Sequence, residues 1–224
     1  MSPQVSLDQG VFRLPTTRLR RAFSLTELLV VITVLGILAG FAIPAATNIL
    51  RANDTTRAGA VIEQAMLRAR QLALSQNRKV EVRLYKYNDS LALGDDAQYR
   101  GLQIVRIEED GTAKAAGKVQ TIPSGAVINE SSALSPLITE LTTKQGSAGL
   151  RVSKAGENGR DYEWIAVTFL PDGSTDLDES GGESGKWFVT VHDGIHPVRD
   201  GTPPSNYYTV QIEPLLGSVR GYRP

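Results

Sequence analysis

A short acidic segment in the C-terminal half of the chain has oxygen ligands at a spacing that could bind a metal ion. Asp172, Asp176 and Asp178 fall within the sequence PDGSTDLDE, which ends in Glu179. Carboxylate oxygens brought together in one loop are the ligands that calcium prefers. Their spacing differs from that of an EF-hand loop, so these aspartates are weak calcium candidates, and a solvated acidic loop is the favoured interpretation. The sequence predicts no other cofactor.

Two histidines form a second pattern that is associated with metal binding. His192 and His196 lie in HDGIHP, and a spacing of four residues would align two imidazoles on one face of a helix. Gly194 and Pro197 interrupt a helix, so we expect a turn with two surface imidazoles. The chain has neither a nucleophile elbow nor a glycine-rich loop that could hold a phosphate. These observations indicate that it is not an enzyme.

Glu27 is a single acid at the edge of a long apolar segment. From Leu28 to Ala46 no residue is charged, and about 19 residues are enough for a helix to cross a hydrocarbon core roughly 30 Å thick. Four arginines precede this segment, at positions 13, 18, 20 and 21, with only Asp8 to oppose them. The positive-inside rule then predicts one membrane span, with residues 1–22 in the cytoplasm and the rest exported. Because an unpaired carboxylate deep in a bilayer costs about 3 kcal/mol, Glu27 needs a partner.

The residues around Glu27 resemble the class III signal of type IV prepilins and type II secretion pseudopilins. That signal has a basic leader, a small residue before the cleavage point, then Phe, and an acid at the fifth position. This chain reads AFSLTE from Ala22 to Glu27, followed by LLVVI. The family usually has glycine where Ala22 stands. Gly36 and Pro44 match the glycine and proline that soften the membrane helix of many pilins, so we expect a kink at Pro44.

The resemblance implies a specific processing step and a specific set of partners. A membrane aspartyl peptidase would cut between Ala22 and Phe23 and methylate the new amine of Phe23. Glu27 would then pair with the amine of Phe23 on a neighbouring subunit as a filament assembles. The implied partners are this prepilin peptidase, other pilin or pseudopilin subunits and an inner-membrane assembly platform, with the head in the periplasm. In the alternative, the Glu27 carboxylate reaches the lipid headgroups and has no role in assembly.

The apolar pattern predicts one long helix that continues beyond the apolar segment. Between Ala58 and Ala73 apolar side chains recur at spacings of three and four, which is typical of an amphipathic helix, here ending near Gln76. A helix over residues 24–76 would be about 80 Å long at 1.5 Å per residue. The predicted organisation is a leader (1–22), a long N-terminal helix (23–76) whose residues 28–46 span the membrane, and a β-rich head (77–224).

Alternating apolar residues predict an antiparallel sheet in the head. The clearest strands are residues 79–87, 99–107, 164–170, 187–192 and 207–212, with short strands at 119–123 and 126–129. We expect a long variable loop over residues 131–158, which are rich in Ser, Thr and Gly. The predicted fold is therefore α+β and pilin-like, with the long helix packed on the sheet. The segment VTFLPDGSTD resembles the heads of minor pseudopilins and FimT-like minor pilins, and VRLYKYND with YRGLQIVRI resembles the Verru_Chthon cassette group of pilin-like proteins.

The charge balance bears on possible partners of the head. The chain has 24 basic and 24 acidic residues, and loss of residues 1–22 leaves 20 basic and 23 acidic. A slightly acidic chain has no general attraction for nucleic acid, which is therefore not an expected partner. The chain also has no cysteine, so no disulfide stabilises the head.

Three classes of function follow from these observations. The leading hypothesis is a minor pilin or pseudopilin, a structural subunit of a type IV pilus-like or type II secretion filament. The alternative is a binding module at a filament tip that captures DNA or contacts secreted cargo. Five basic residues are the only sequence feature that favours this binding module, and such a set more often forms a solvated face. They are Arg78, Lys79, Arg83, Lys86 and Arg100. A membrane-anchored enzyme would need a pocket with convergent titratable groups.

Overall fold

The computed structural model describes residues 23–87, 97–146, 162–179, 186–196 and 198–224, without the side chains of residues 41–49, 144–146 and 162. The predicted leader at 1–22 lies outside these ranges, as do residues 147–158 of the expected loop. Contacts divide the chain into two compact units, Met1–Ala45 and Ala46–Pro224. The helix α1, Leu25–Gln76, begins in the first unit and ends in the second.

Local capping signals define both ends of α1. At its start, the Ser24 carbonyl accepts a hydrogen bond from the Leu28 N–H at 3.1 Å. At its end, Asn77 adopts a left-handed conformation with a φ of 49°, and the Arg78 N–H donates to the Ala73 carbonyl at 3.3 Å. This six-to-one bond around a left-handed residue is a Schellman motif. The helix therefore ends at Gln76, as the apolar pattern predicted.

Two predictions for the first half of α1 concern the membrane and the kink. Among the residues described, no helix combines the length and the apolar character that crossing a membrane requires. The span expected at residues 28–46 stays a prediction. Helical structure continues through Pro44, and the kink expected there also stays a prediction.

The head contains two antiparallel sheets and one short helix. Its elements are β1 (Val80–Tyr87), β2 (Gln98–Ile107), β3 (Ala113–Ala115), β4 (Gln120–Thr121), β5 (Ala126–Ile128), α2 (Pro136–Glu140), β6 (Lys144–Gly146), β7 (Tyr162–Phe169), β8 (Trp187–Asp193), β9 (Tyr207–Ile212) and β10 (Val219–Tyr222). Within the described ranges, the first sheet has the order β3-β2-β1-β7-β6, with β4 also paired to β2, and the second has the order β10-β9-β8-β5. The α+β class predicted from the sequence, with the long helix packed on antiparallel sheet, is confirmed.

The second half of α1 forms the centre of the core. Alanines at positions 58, 65, 69 and 73 are each at most 3% exposed, and they lie in one apolar cluster with residues of both sheets. In the first sheet, Leu84 of β1 pairs with Leu102 of β2 and with Ile165 of β7, so its apolar face is continuous across three strands. Small helix side chains let the helix backbone approach such a face closely, which explains why the predicted stripe is alanine-rich.

Two of the head predictions are corrected by the structure, and one C-terminal strand was missed. The expected loop at 131–158 contains α2 and β6, and Leu134, Leu137 and Ile138 are buried there because they cover the apolar core. The strand expected at 119–123 is reduced to β4, whose two residues pair with β2. The strand β10 was not predicted, because VRGY has no apolar alternation and forms a strand by pairing with β9.

Candidate functional site

The predicted processing and assembly residues lie at the start of α1. Phe23 precedes the helix and is 74% exposed. Glu27 is the acid of the first helical turn, and it is exposed as well. Ala22 lies outside the described ranges. An amine created at Phe23 would therefore sit about one helical turn from the Glu27 carboxylate along the sequence.

Ser24 also contributes to this site, and it was missed as a functional residue. Its hydroxyl oxygen accepts a hydrogen bond from the Glu27 N–H at 3.1 Å and lies 3.0 Å from the Thr26 hydroxyl oxygen. Ser24 is thus the N-cap of α1, and Glu27 stands at the third helical position. The sequence signal was present, because Ser-x-x-Glu before an apolar run is a capping-box pattern.

The helix beyond Glu27 presents apolar side chains on all of its faces. Eleven large side chains between Phe23 and Leu38 are 45% to 80% exposed: Phe23, Leu25, Leu28, Leu29, Val30, Val31, Ile32, Val34, Leu35, Ile37 and Leu38. A helix that is apolar all round is stable only when lipid or other protein surrounds it. Such a surface marks an interaction site rather than an ordinary solvent face.

The second half of α1 is attached to the head by a tyrosine. Tyr208 of β9 donates its phenolic hydrogen to the Glu63 carboxylate at 2.6 Å. This hydrogen bond, together with burial and the Glu63 charge, raises the pKa of Tyr208 to about 12. A Cβ atom on Gly59 would collide with the Tyr208 ring. Gly59 therefore has a packing role in a helix where glycine is otherwise unfavourable.

A second attachment lies one to two turns further along α1. The Arg70 guanidinium donates through Nε to the Leu216 carbonyl at 2.9 Å and to the Gly173 carbonyl at 3.3 Å. Gly217 has a φ of 57°, and its backbone passes so close to the Gly173 carbonyl that a Cβ atom would not fit. The loop before β8 and the loop after β9 are thus held to the helix. Residues 46–224, which include the second half of α1 and the head, form one compact unit.

Two of the three calcium candidates, Asp172 and Asp176, use their carboxylates in hydrogen bonds within the head. Asp172 accepts from the Ser174 hydroxyl and amide at 2.6 and 3.0 Å, and these bonds lower the pKa of its carboxyl. Asp176 accepts from the Thr168 N–H at 2.8 Å, whereas Asp178 accepts through its backbone carbonyl from the Trp187 indole. Among the residues described, no three His, Cys, Asp or Glu side chains are grouped to hold a metal ion. Calcium binding stays a prediction.

The two histidines have different environments, so the expectation of two surface imidazoles is half wrong. His196 is exposed, but His192 lies in β8 and is only 7% exposed. His192 lies on the face of β8 opposite to Trp187, Val189 and Val191, and its Nδ1 lies 2.6 Å from the Asp193 carbonyl oxygen. The His196 Nδ1 lies 2.8 Å from the Asp193 carboxylate. Burial acts to raise the pKa of Asp193, but hydrogen bonds from His196 and Ile195 lower it overall.

The five cations that suggested a binding face do not form a free basic surface. Two are buried: Arg83 binds Glu81 at 2.6 Å and stacks on the Trp164 ring, and Arg100 is 1% exposed. The Arg100 guanidinium donates to the Ala126 carbonyl at 2.7 Å and to the Pro123 carbonyl at 3.3 Å, which joins β2 to β5. Two others are paired with acids, Lys86 with Glu130 and Arg78 with Glu109. The solvated-face interpretation is therefore wrong for Arg83 and Arg100, because their guanidinium groups are structural.

Comparison with known proteins places a recognised motif at the start of α1. Residues 17–43 match the family described as the prokaryotic N-terminal methylation motif. Two solved structures of the minor pseudopilin EpsH from the type II secretion system of Vibrio cholerae are similar at 11% sequence identity. One has a TM-score of 0.43 and covers 77% of this chain and 96% of that chain, and the other has a TM-score of 0.41 and covers 76% and 98%. No curated protein matches the chain.

The motif match confirms the resemblance that AFSLTE indicated. The chain carries a prepilin-type N-terminal methylation signal, the signal of type IV pilins and pseudopilins, followed by a head of the α+β class. The more specific resemblance to the Verru_Chthon cassette group stays a prediction.

Proposed function

We propose that this chain is a minor pilin or pseudopilin, a structural subunit of a type IV pilus-like or type II secretion filament. The observation that carries the proposal is the methylation motif at residues 17–43, in which Phe23 precedes the helix and Glu27 stands in its first turn. The chain is made as a precursor with a basic leader. A prepilin peptidase hydrolyses the bond between Ala22 and Phe23, and the new amine of Phe23 receives a methyl group from a donor bound to that enzyme.

The N-terminal helix then carries the assembly function. Before assembly, residues 28–46 hold the subunit in the bacterial inner membrane, with the leader in the cytoplasm and the head in the periplasm. The exposed apolar surface from Phe23 to Leu38 supports this location, because water cannot solvate it favourably. During assembly, Glu27 offsets the positive amine of Phe23 on a neighbouring subunit. Since an unpaired charge in lipid is costly, this pairing sets the register between successive subunits.

The head supports a structural role better than DNA capture at a filament tip. Arg83 and Arg100 are committed to internal contacts, and Lys86 and Arg78 are paired with carboxylates. A DNA-binding face needs several cations free to contact phosphates. We therefore propose that the head is displayed by the filament and that its contacts are with protein: neighbouring subunits and the inner-membrane assembly platform.

The test is the mass and N-terminal sequence of the chain extracted from membranes of cells with and without prepilin peptidase. The proposal predicts a chain that begins with methylated Phe23, found only when the peptidase is present. A chain that retains residues 1–22 in both strains would refute it. A matched Ala22→Leu variant separates processing from expression, since the signal has a small residue before the cleavage point and this variant should accumulate in membranes as the uncut precursor.

A further inference from the structure

The hydroxyl of Ser24 is held by two hydrogen bonds at the first turn of α1. It accepts from the Glu27 N–H at 3.1 Å, and it lies 3.0 Å from the Thr26 hydroxyl oxygen. The Ser24 carbonyl meanwhile accepts the first bond of the helix, from the Leu28 N–H. A residue with both features is an N-cap, whose own backbone is not helical although the next residue is.

The sequence before Ser24 does not by itself stop a helix. Arg20, Arg21 and Ala22 are all good helix formers, and no proline or glycine separates them from α1. Without a cap, the helix could continue backward through Phe23 into the basic leader. The bond between Ala22 and Phe23 would then have its N–H and carbonyl engaged in the helix ladder, and a peptidase would have to unwind the turn before it could bind this bond.

We infer that Ser24 is a positioning residue for processing: its side chain fixes the start of α1 at Leu25 and thereby keeps Phe23, the residue that follows the cleavage point, out of the helix. This inference rests on the proposed function. In the hydrolysis itself, water adds to the Ala22 carbonyl carbon, the bond to the Phe23 nitrogen breaks, and the leaving nitrogen takes up a proton. Ser24 contacts none of these atoms and acts through the conformation of the backbone.

The test uses the full chain in detergent micelles with purified prepilin peptidase. Ser24→Ala removes the cap, whereas Ser24→Asn keeps a capping oxygen without a hydroxyl. Thr33→Ala is the matched control, because the Thr33 hydroxyl donates to the Leu29 carbonyl inside the helix at 2.8 Å and caps nothing. A cap changes a conformational equilibrium by about fivefold. Since this lowers the fraction of chains ready to bind, we expect Ser24→Ala to raise KM by up to about fivefold with kcat unchanged. We expect Ser24→Asn and Thr33→Ala to behave as wild type.

A second readout does not need the peptidase. Carbon chemical shifts of residues 22 and 23 should move toward helical values in Ser24→Ala and remain unchanged in Ser24→Asn. Wild-type kinetics and shifts in Ser24→Ala would overturn the inference alone. The inference would also be overturned if Ser24→Asn were processed as slowly as Ser24→Ala. The peptidase would then recognise the serine hydroxyl directly, and the cap would not matter. A wild-type chain that the peptidase does not cut at Phe23 would overturn the proposed function, and the inference with it.

Discussion

The phenolic hydroxyl of Tyr208 donates a 2.6 Å hydrogen bond to the carboxylate of Glu63, joining β9 of the head to the second half of α1. The two residues are 145 positions apart in the chain. The Tyr208 ring also packs over Gly59, one turn earlier in the helix. One side chain thus provides both a polar and a steric contact between the helix and the second sheet. If α1 is the filament element, this contact determines how the head is oriented on it.

Replacing Tyr208 by phenylalanine should lower the free energy of unfolding of the head by about 1 kcal/mol, because the carboxylate loses its donor while the ring stays in place. Urea unfolding of the full chain in detergent, followed by fluorescence of Trp164 and Trp187, measures this change. Tyr222→Phe is the control, since Tyr222 is 47% exposed on β10. Equal stability of the two variants would contradict a stabilising role for the Tyr208–Glu63 bond.

Replacing Gly59 by alanine should destabilise the head by roughly 1–3 kcal/mol, because the added methyl group overlaps the Tyr208 ring. Gly36→Ala is the matched control in the same helix, where a Cβ atom would have no other atom within 4 Å. Helix propensity alone would predict a small gain for Gly59→Ala. The thermal midpoint of head unfolding should instead fall for Gly59→Ala and change little for Gly36→Ala, because Gly36 lies outside the unit that contains the head. A gain for Gly59→Ala would rule out the packing role.

The Tyr208–Glu63 contact should make the free energy of unfolding of the head fall at high pH. The pKa of Tyr208 is raised to about 12 from an ordinary value of 10.0, so its protonated form is favoured by folding. The contribution of protonated Tyr208 to the free energy of unfolding is complete below pH 10 and is lost as the pH rises toward 12. Burial also raises the pKa of Tyr85 and Tyr99, so the ultraviolet titrations of wild type and Tyr208→Phe are compared, and they should differ by one phenol that ionises late. The same late phenol in the variant would assign it to another tyrosine.

Neutralising Glu27 should prevent incorporation into filaments without affecting membrane insertion or head stability. Glu27→Gln is the informative variant, because it keeps the capping-box pattern and removes only the charge. The amount of chain in sheared filaments, relative to that in membranes, measures the effect. Glu109→Gln is a control for an exposed acid elsewhere in the chain. Normal incorporation of Glu27→Gln would favour the interpretation in which the carboxylate only reaches the headgroups.

Replacing Arg100 by methionine should destabilise the head by about 2 kcal/mol, because the Pro123 and Ala126 carbonyls lose a buried donor. Arg100→Lys should recover only part of this loss, since an ammonium group cannot reproduce the planar geometry of the guanidinium. Arg220→Met, on the exposed edge strand β10, should change stability little. Urea midpoints of the three variants compare these effects. Full stability of Arg100→Met would show that the guanidinium does not join β2 to β5.

Local patterns in the sequence were sufficient to predict the long helix and the main strands. The spacing of alanines from Ala58 to Ala73 predicted the helix and its end, and alternation predicted five of the strands, because these periods depend only on neighbouring residues. The processing signal was likewise readable, since AFSLTE is contiguous. Ser24 was overlooked although its capping pattern was visible. The α+β class followed from one helix and several strands.

Other features were decided only by the tertiary structure. Glycine is unfavourable in the middle of α1, and Gly59 is explained only by the ring of Tyr208, which is far away in the chain and packs against it. Arg83 and Arg100 looked like solvated cations, yet neighbouring strands bury them and supply their partners. Strand β10 exists because β9 offers it an edge. In each case the structure depends on a contact between residues that are distant in sequence. Such a contact cannot be predicted from local periodicity or from composition. The sequence alone therefore determined the helix, the main strands and the processing signal, whereas the burial of polar groups and the attachment of the head to α1 required the fold.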